Sequence, residues 1–425
     1  MPKIIPFKGL RYNAAVVDDL RAVVAPPYDI ISDSLQDELY RTHPNNIVRL
    51  ILNKIEDVDT AKYNRYTRAG EFFDSWLKDN ILVQDNGKSF YVYSQIYTYN
   101  GKSKEQMGFV GLMEIDMAGN KVLPHENTLA APKTDRLNLM REVRANLSPI
   151  FVLYDDRDHK IVSMMKKFCS KVAPASDVMF QNVRNRIWKL DDEALIEEIE
   201  KFMADKNIFI ADGHHRYEVA RMYATEIENK DVPQHLKESS KYLMVYFVES
   251  DEKMLSVLPA HRLVRDLGEL KPGDIKKRLE KYFSIKKAPN LKALMSKLDK
   301  GGLHCFGMYL GKKEFYLLKL KDPAISDKAI KDKPKAWKRL DVSILHLFIF
   351  QHILGICDGD DNIEFVKDPK DVVKLMKEGK YGAAFFLNPT KPGDVKRIAS
   401  LGERMPRKAT YFYPKPLSGL VINKL

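Results

Sequence analysis

The chain has 425 residues, 44% hydrophobic and 30% charged, with a formal net charge of +12. That length exceeds one ordinary core, so two or three domains are expected, and the composition is that of a globular protein, not a disordered or fibrous one. The three cysteines, Cys169, Cys305 and Cys357, lie far apart. They exclude a Cys-x-x-Cys zinc or redox motif and argue against a disulfide scaffold, so a reducing cytoplasm is the expected setting.

The N-terminal Met1-Pro-Lys-Ile-Ile-Pro-Phe lacks the apolar core of a signal peptide, and none is expected. The best apolar stretch, Leu345 to Ile356, is cut by His346, Gln351 and His352, so no membrane span is expected either. The positive excess favours anionic partners: nucleotides, phosphorylated metabolites or nucleic acid. Its one concentrated run, Lys328 to Arg339, has Trp337 as its only aromatic and reads as a solvated loop. Nucleic acid is therefore not the expected partner.

In chain order, Val23 to Ser32 reads as a strand running into the Pro26-Pro27 corner, where prolines cannot donate to a ladder and leave an edge or a loop, with Ser32 capping a helix over Ser34 to Thr42. A second amphipathic helix is expected over Tyr63 to Asp79. Lys88 to Tyr99 alternates as a strand does, Asn100-Gly101 is a hairpin turn, and Phe109 to Ile115 returns as the partner. Val122 to Lys133 has little periodicity and holds His125, Glu126 and Thr128, so it reads as a functional loop before a helix ending near Arg144. A strand at Pro149 to Asp155, a helix at Lys160 to Lys171, a strand pair over Val178 to Asp191 and a helix at Asp192 to Lys206 follow.

The chain then reaches Ile208-Phe-Ile-Ala-Asp-Gly-His-His-Arg-Tyr217. The apolar run is a short buried strand, Asp212-Gly213 breaks it, and helical spacing resumes from His214 through Val219, Ala220 and Tyr223. A helix N-terminus after a glycine turn is an anion site, because its first N–H groups and its dipole face outward. Arg216 can fork onto phosphate oxygens, and His214 or His215 can donate a hydrogen bond or move a proton. Beyond it, strands are expected at Tyr242 to Ser250 and Leu255 to Leu263, a hairpin around Gly311-Lys-Lys, a helix at Val342 to Leu354, and βαβ-like alternation to the end. Segments 1–150, 151–268 and 269–425 are the expected domains.

His125-Glu126 is the second candidate site: a carboxylate beside an imidazole can accept a hydroxyl proton or hold Mg²⁺. Asp29, pinned behind two prolines, is the alternative acceptor. Lys133 and Arg136 could add phosphate contacts or simply form surface ion pairs. Asp212 could orient a histidine or sit near a metal. No Walker A loop, kinase-type glycine loop or Gly-x-Ser-x-Gly elbow occurs.

Ala211-Asp-Gly-His-His-Arg-Tyr217 resembles the signature of a large bacterial and archaeal family of unknown function. Further marks of that family follow its order here: Ala25-Pro-Pro-Tyr-Asp29, Asn46-Ile-Val-Arg-Leu50, His125-Glu126, Pro132-Lys133 with Asp135-Arg136, Pro259-Ala-His-Arg262, Gly402-Glu403 and Tyr411-Phe-Tyr-Pro-Lys415. Over four or five residues, the Gly-His-His-Arg turn is also similar to the Gly-x-x-Arg phosphate-binding turn of the ParB and sulfiredoxin superfamily, which includes free-serine kinases.

What these resemblances imply is an α/β protein of mixed α+β sheets. It would have a ParB/sulfiredoxin-like phosphate-binding core and an additional α/β C-terminal domain. The implied activity is phosphoryl transfer from ATP or ADP, with Mg²⁺, to a small hydroxylated metabolite, serine first. Gly213, His214, His215 and Arg216 would hold the phosphates, with Asp212 as a metal neighbour. Glu126, or failing that Asp29, would accept the proton. A non-catalytic ParB-like nucleotide- or nucleic-acid-binding regulator and a phosphate-ester hydrolase are the competing readings. A homodimer stays open.

Overall fold

A computed structural model describes residues 3–251, 253–312, 314–356 and 362–425. Cys357 and the Lys313 of the Gly311 hairpin loop lie outside the described residues. The chain divides into two compact units. One is built from Met1–Pro124, Thr128–Leu255 and Pro414–Leu425, the other from His125–Asn127 and Ser256–Tyr413.

The first unit is organised on a nine-stranded sheet. In chain order its strands are β1 (Ile4–Ile5), β2 (Phe90–Tyr99), β3 (Lys102–Glu114), β4 (Val122–Leu123), β5 (Ile150–Tyr154), β6 (Ser176–Phe180), β7 (Val183–Leu190), β8 (Ile208–Asp212) and β9 (Tyr242–Glu249). Their spatial order is β4-β8-β5-β9-β3-β2-β7-β6, with β1 on β3. The hairpin β2–β3 forms where the alternation and Asn100-Gly101 require it: both turn residues have positive φ, the demand of the tight turn that matches strand twist. The sheet is mixed. β9 runs parallel to β5 and antiparallel to β3, and β8 runs antiparallel to β5 and parallel to β4.

Helices α1 (Asp33–Thr42), α2 (Arg65–Lys78), α3 (Ala130–Val143), α4 (Lys160–Cys169), α5 (Glu193–Met203) and α6 (His214–Glu228) complete the frame of this unit. Ser32 caps α1 by accepting from Leu35 N–H, as its sequence position predicts. One core joins Phe90, Phe109, Val152, Ile210 and Phe247 of the sheet to Ile161, Ile199 and Tyr217 of α4, α5 and α6. A second gathers Val23, Ile47, Phe73, Trp76 and Leu139. Of the edge strand and the loop left open for Val23 to Ser32, the segment takes the loop. Ala25 makes a single bridge to Ser418, and Tyr28–Ile30 is a 3-10 turn. Pro26 and Pro27 have no N–H to give a ladder, and the Asn46 amide takes the carbonyls of Ala22 and Val24 instead.

The second unit holds a six-stranded sheet of β10 (His261–Val264), β11 (Phe283–Ala288), β12 (Cys305–Tyr309), β13 (Phe315–Leu320), β14 (Ile363–Val366) and β15 (Ala383–Leu387). Its order is β11-β13-β12-β15-β10-β14 and every pairing is antiparallel. Helices do alternate with strands, but among the described residues the strands of this sheet pair antiparallel, not in the parallel βαβ manner that the alternation suggests. The strand expected over Leu255 to Leu263 splits into Ser256–Val257 and β10, with Pro259 between them. The helix read over Val342 to Leu354 is a π-helix across Ile344–Leu354, apolar on nearly every side. Both units are thus mixed α/β. No helix among the described residues is long and apolar enough to cross a membrane.

Candidate functional site

The strand-to-helix turn forms where the sequence breaks. β8 ends at Asp212, Gly213 adopts φ +93°, and α6 begins at His214. A β-carbon at Gly213 would stand 2.8 Å from Ile150 Cγ2 and 3.0 Å from Arg216 Nη2, in a backbone conformation that other residues rarely adopt. Gly213 is the N-cap and supplies no side-chain oxygen to the first turn of α6. The anion preference of that helix end is therefore not consumed by a capping side chain.

Around the turn, buried charges interlock. Asp212 Oδ2 accepts from Arg216 Nη2 at 2.9 Å, and its Oδ1 accepts from Lys415 Nζ. Lys415 Nζ also donates to Asp29 Oδ2 at 2.9 Å. The Lys415 side chain is only 7% exposed. Burial pushes its pKa down, but the adjoining Asp212 and Asp29 carboxylates outweigh that and hold it above the ordinary lysine value. Arg216 Nη1 donates to Pro149 O at 2.7 Å, whereas its Nε is buried without a hydrogen-bond partner. A buried, unsatisfied guanidinium N–H is costly, and an acceptor from a ligand would relieve it.

Arg216 lines a cavity of about 60 Å³ with Tyr28, Arg136, Asn146 and Ser148. Arg136 lies 4.1 Å above the Tyr28 ring and donates to Asp135 Oδ2 and to Ile51 O. Burial raises the Tyr28 hydroxyl, while Arg136 and Arg216 pull it back. The cavity is otherwise lined by apolar side chains, Ile51, Leu139, Leu147, Val219 and Leu243 among them. It is small beside the ~300–1,000 Å³ that encloses a whole drug-sized ligand.

Of the residues expected at a site, Asp29, Asp212, Gly213 and Arg216 meet at this turn, and Arg136 shares the cavity with Arg216. His215 Nε2 accepts from Leu129 N–H at 3.0 Å, which ties the start of α3 to the turn and fixes that nitrogen as an acceptor. His214 is buried in the first turn of α6. Lys133 is half-buried on α3, three residues before Arg136, and forms no ion pair with the described residues. His125 and Glu126 belong to the other unit. There, the fully buried His125 sets Nε2 3.0 Å from Thr410 Oγ1, and its carbonyl accepts from Met405 N–H at 2.7 Å.

Sequence reasoning left Lys415 out of the site. Its partner Asp29 lies 386 residues earlier, and no periodicity links them; only the joint occurrence of Pro-Pro-Tyr-Asp, Asp-Gly-His-His-Arg and Tyr-Pro-Lys could have raised it.

Asp212 does not fit a Mg²⁺ ligand in this arrangement. Each of its oxygens already faces a cation, so a divalent ion there would stand beside two fixed positive charges.

A family model described as "Protein of unknown function (DUF1015)" matches residues 4–343. No curated protein matches the chain. Among solved structures, a free serine kinase variant in complex with ADP is similar at 12% identity and a TM-score of 0.35, over 75% of this chain and 90% of that one. SbnI with C-terminal truncation from Staphylococcus aureus is similar at 11% identity and 0.35, over 73% and 85%. A conserved hypothetical protein from Pyrococcus furiosus is similar at 12% and 0.34, over 72% and 91%.

Proposed function

The chain belongs to the DUF1015 family, and for this member we propose nucleotide-dependent phosphoryl transfer to a small hydroxylated metabolite, with serine the first acceptor and ATP or ADP the donor. The observation that carries the proposal is Lys415, buried between Asp29 and Asp212 at a helix start whose Arg216 keeps one N–H unpartnered.

Phosphoryl transfer asks for little covalent chemistry from a protein. It needs fixed positive charge, aligned reactants and one group that orients the nucleophile. Gly213 lets the phosphate approach the backbone of His214, His215 and Arg216. Arg216 Nε takes a phosphate oxygen within the cavity, and Lys133 and Arg136 add charge from α3. Lys415 stays cationic at neutral pH because two carboxylates face it, so it can offset charge that develops on the transferred group. The cavity takes one phosphate; the nucleoside lies outside it. Mg²⁺ arrives on the nucleotide's phosphates and is not held by Asp212.

The proton acceptor is Asp29 or Glu126. What supports Asp29 is its contact with Lys415 in the same cluster. What supports Glu126 is its position beside the buried His125. Incubation of the chain with ATP or ADP and serine, followed by phosphorus NMR, tests the proposal: a new phosphate monoester is expected. If no hydroxylated acceptor is phosphorylated, the proposal fails. Asp29→Asn and Glu126→Gln then identify the base, because the correct variant lowers turnover by about 10²–10⁴-fold while nucleotide affinity persists.

A further inference from the structure

β5 carries two chemistries at its two ends. Phe151 is level with Asp212 at the phosphate turn, whereas Tyr154, three residues on, is level with Glu249 at the end of β9. Those three residues correspond to about 10 Å of strand. At the far end, His159, Glu249 and Asp251 each present a ligand atom, and these atoms all lie within 4.8 Å of one another. We propose that His159, Glu249 and Asp251 form a binding site for a divalent transition-metal ion of the zinc class.

The cluster is more than a set of surface acids. Glu249 is 2% exposed. Its Oε1 lies 2.6 Å from His159 Nδ1, and its Oε2 is buried with no hydrogen-bond partner. An ion pair with His159 would explain the first oxygen and leave the second as an uncompensated buried acceptor, which native proteins avoid. Asp156 adds to the excess of negative charge. It is itself buried, acts on Glu249 electrostatically, and spends one oxygen on Ile161 N–H. Asp251 uses Oδ1 to hold Lys253 N–H and keeps Oδ2 for a ligand. A cation between these groups satisfies the orphan oxygen and takes the place of the direct His159–Glu249 contact.

The donor set selects the class of ion. Calcium and magnesium take oxygen-only shells, whereas one imidazole with two carboxylates suits zinc or manganese. Tetrahedral ligands at about 2.1 Å from zinc stand roughly 3.4 Å apart, so the His159–Glu249 pair opens slightly to admit the ion while Asp251 closes in by side-chain rotation. His159 is half-exposed, which gives the ion a path from solvent and leaves a fourth position for water. The site does not depend on the phosphoryl-transfer reading, and it is tested without nucleotide.

The experiment uses the full chain, stripped with a chelator and titrated with Zn²⁺ by calorimetry and with Co²⁺ by visible absorption. One equivalent should bind, Co²⁺ should show the ligand-field bands of a low-coordinate site, and Zn²⁺ should raise the unfolding temperature. Glu249→Gln and His159→Ala should each weaken binding by about 100-fold or more, at or beyond the range seen for outer-shell partners of metal sites. His159 is exposed enough that its variant folds. A wild-type chain that binds no equivalent, or two variants that bind as the wild type does, would overturn the proposal.

Discussion

Lys415 in the first unit and His261 in the second are both buried bases, and they settle on opposite charge states. Lys415 stands between Asp29 and Asp212 and is held above its ordinary value. His261 is fully buried on β10, 5.0 Å from the Phe386 ring, with neither ring nitrogen hydrogen-bonded. Burial and the neighbouring Arg262 push it down from 6.5 to about 3, with Asp368 pulling weakly the other way. Burial alone neutralises a base; two carboxylates at contact distance reverse the outcome. The first region keeps its base charged by pairing it with carboxylates. The second keeps an uncharged ring as part of a core.

Breaking the charge cluster is the severest test of that contrast. Asp212→Asn leaves Lys415 and Arg216 buried with one carboxylate fewer, and should cost about 3–5 kcal/mol in denaturant unfolding. A loss below about 1 kcal/mol would mean that the two cations have other compensation.

The pH dependence of stability separates the two regions next. For His261, the folded pKa lies below the unfolded one, so only the unfolded state takes up a proton as pH falls. Its contribution is intact above about 6.5 and is lost between there and about 3, at up to about 1.4 kcal/mol per pH unit. His261→Phe should flatten the acid limb of the stability profile. Lys415 has the opposite sign: its contribution is present below the ordinary lysine value and is lost only as pH rises through its raised one. Of these two bases only His261 titrates in the neutral-to-acid range, where hydrogen-bonded carboxylates such as Asp85 and Asp116 also contribute, so the difference between wild type and His261→Phe is its signature, and equal slopes would contradict the assignment.

Two smaller effects sharpen the picture. Arg216→Ala should weaken phosphate or nucleotide binding by about 1.5–3 kcal/mol in calorimetry, the scale of a lost charged hydrogen bond. Unchanged affinity would remove the cavity from the site. Ser32→Ala deletes the cap of α1 and should cost about 1 kcal/mol by thermal unfolding, with no change in binding.

Much of this architecture is legible where short-range physics decides it. The alternation of Phe90 to Tyr99, the Asn100-Gly101 turn and the break at Asp212-Gly213 each follow from local backbone preference. The reading fails where partners are distant in sequence. Nothing local reveals that β8 lies between β4 and β5, or that the strands of the second unit pair antiparallel. The prolines mark the Pro26-Pro27 segment as an edge or a loop, but nothing local shows that Ala25 bridges to Ser418. The candidate site divides in the same way. Gly213 and Arg216 are visible as a turn motif. The clamp that orders them needs Asp29 and Lys415 from near the two ends of the chain.

The most direct measurement is phosphoryl transfer by Lys415→Met, compared with the wild type under saturating ATP or ADP and serine, with folding checked by circular dichroism. The expected result is a folded variant whose turnover falls by about 10²–10³-fold, the usual effect of removing one fixed charge-stabilising donor. A folded Lys415→Met chain that phosphorylates serine as fast as the wild type would contradict it.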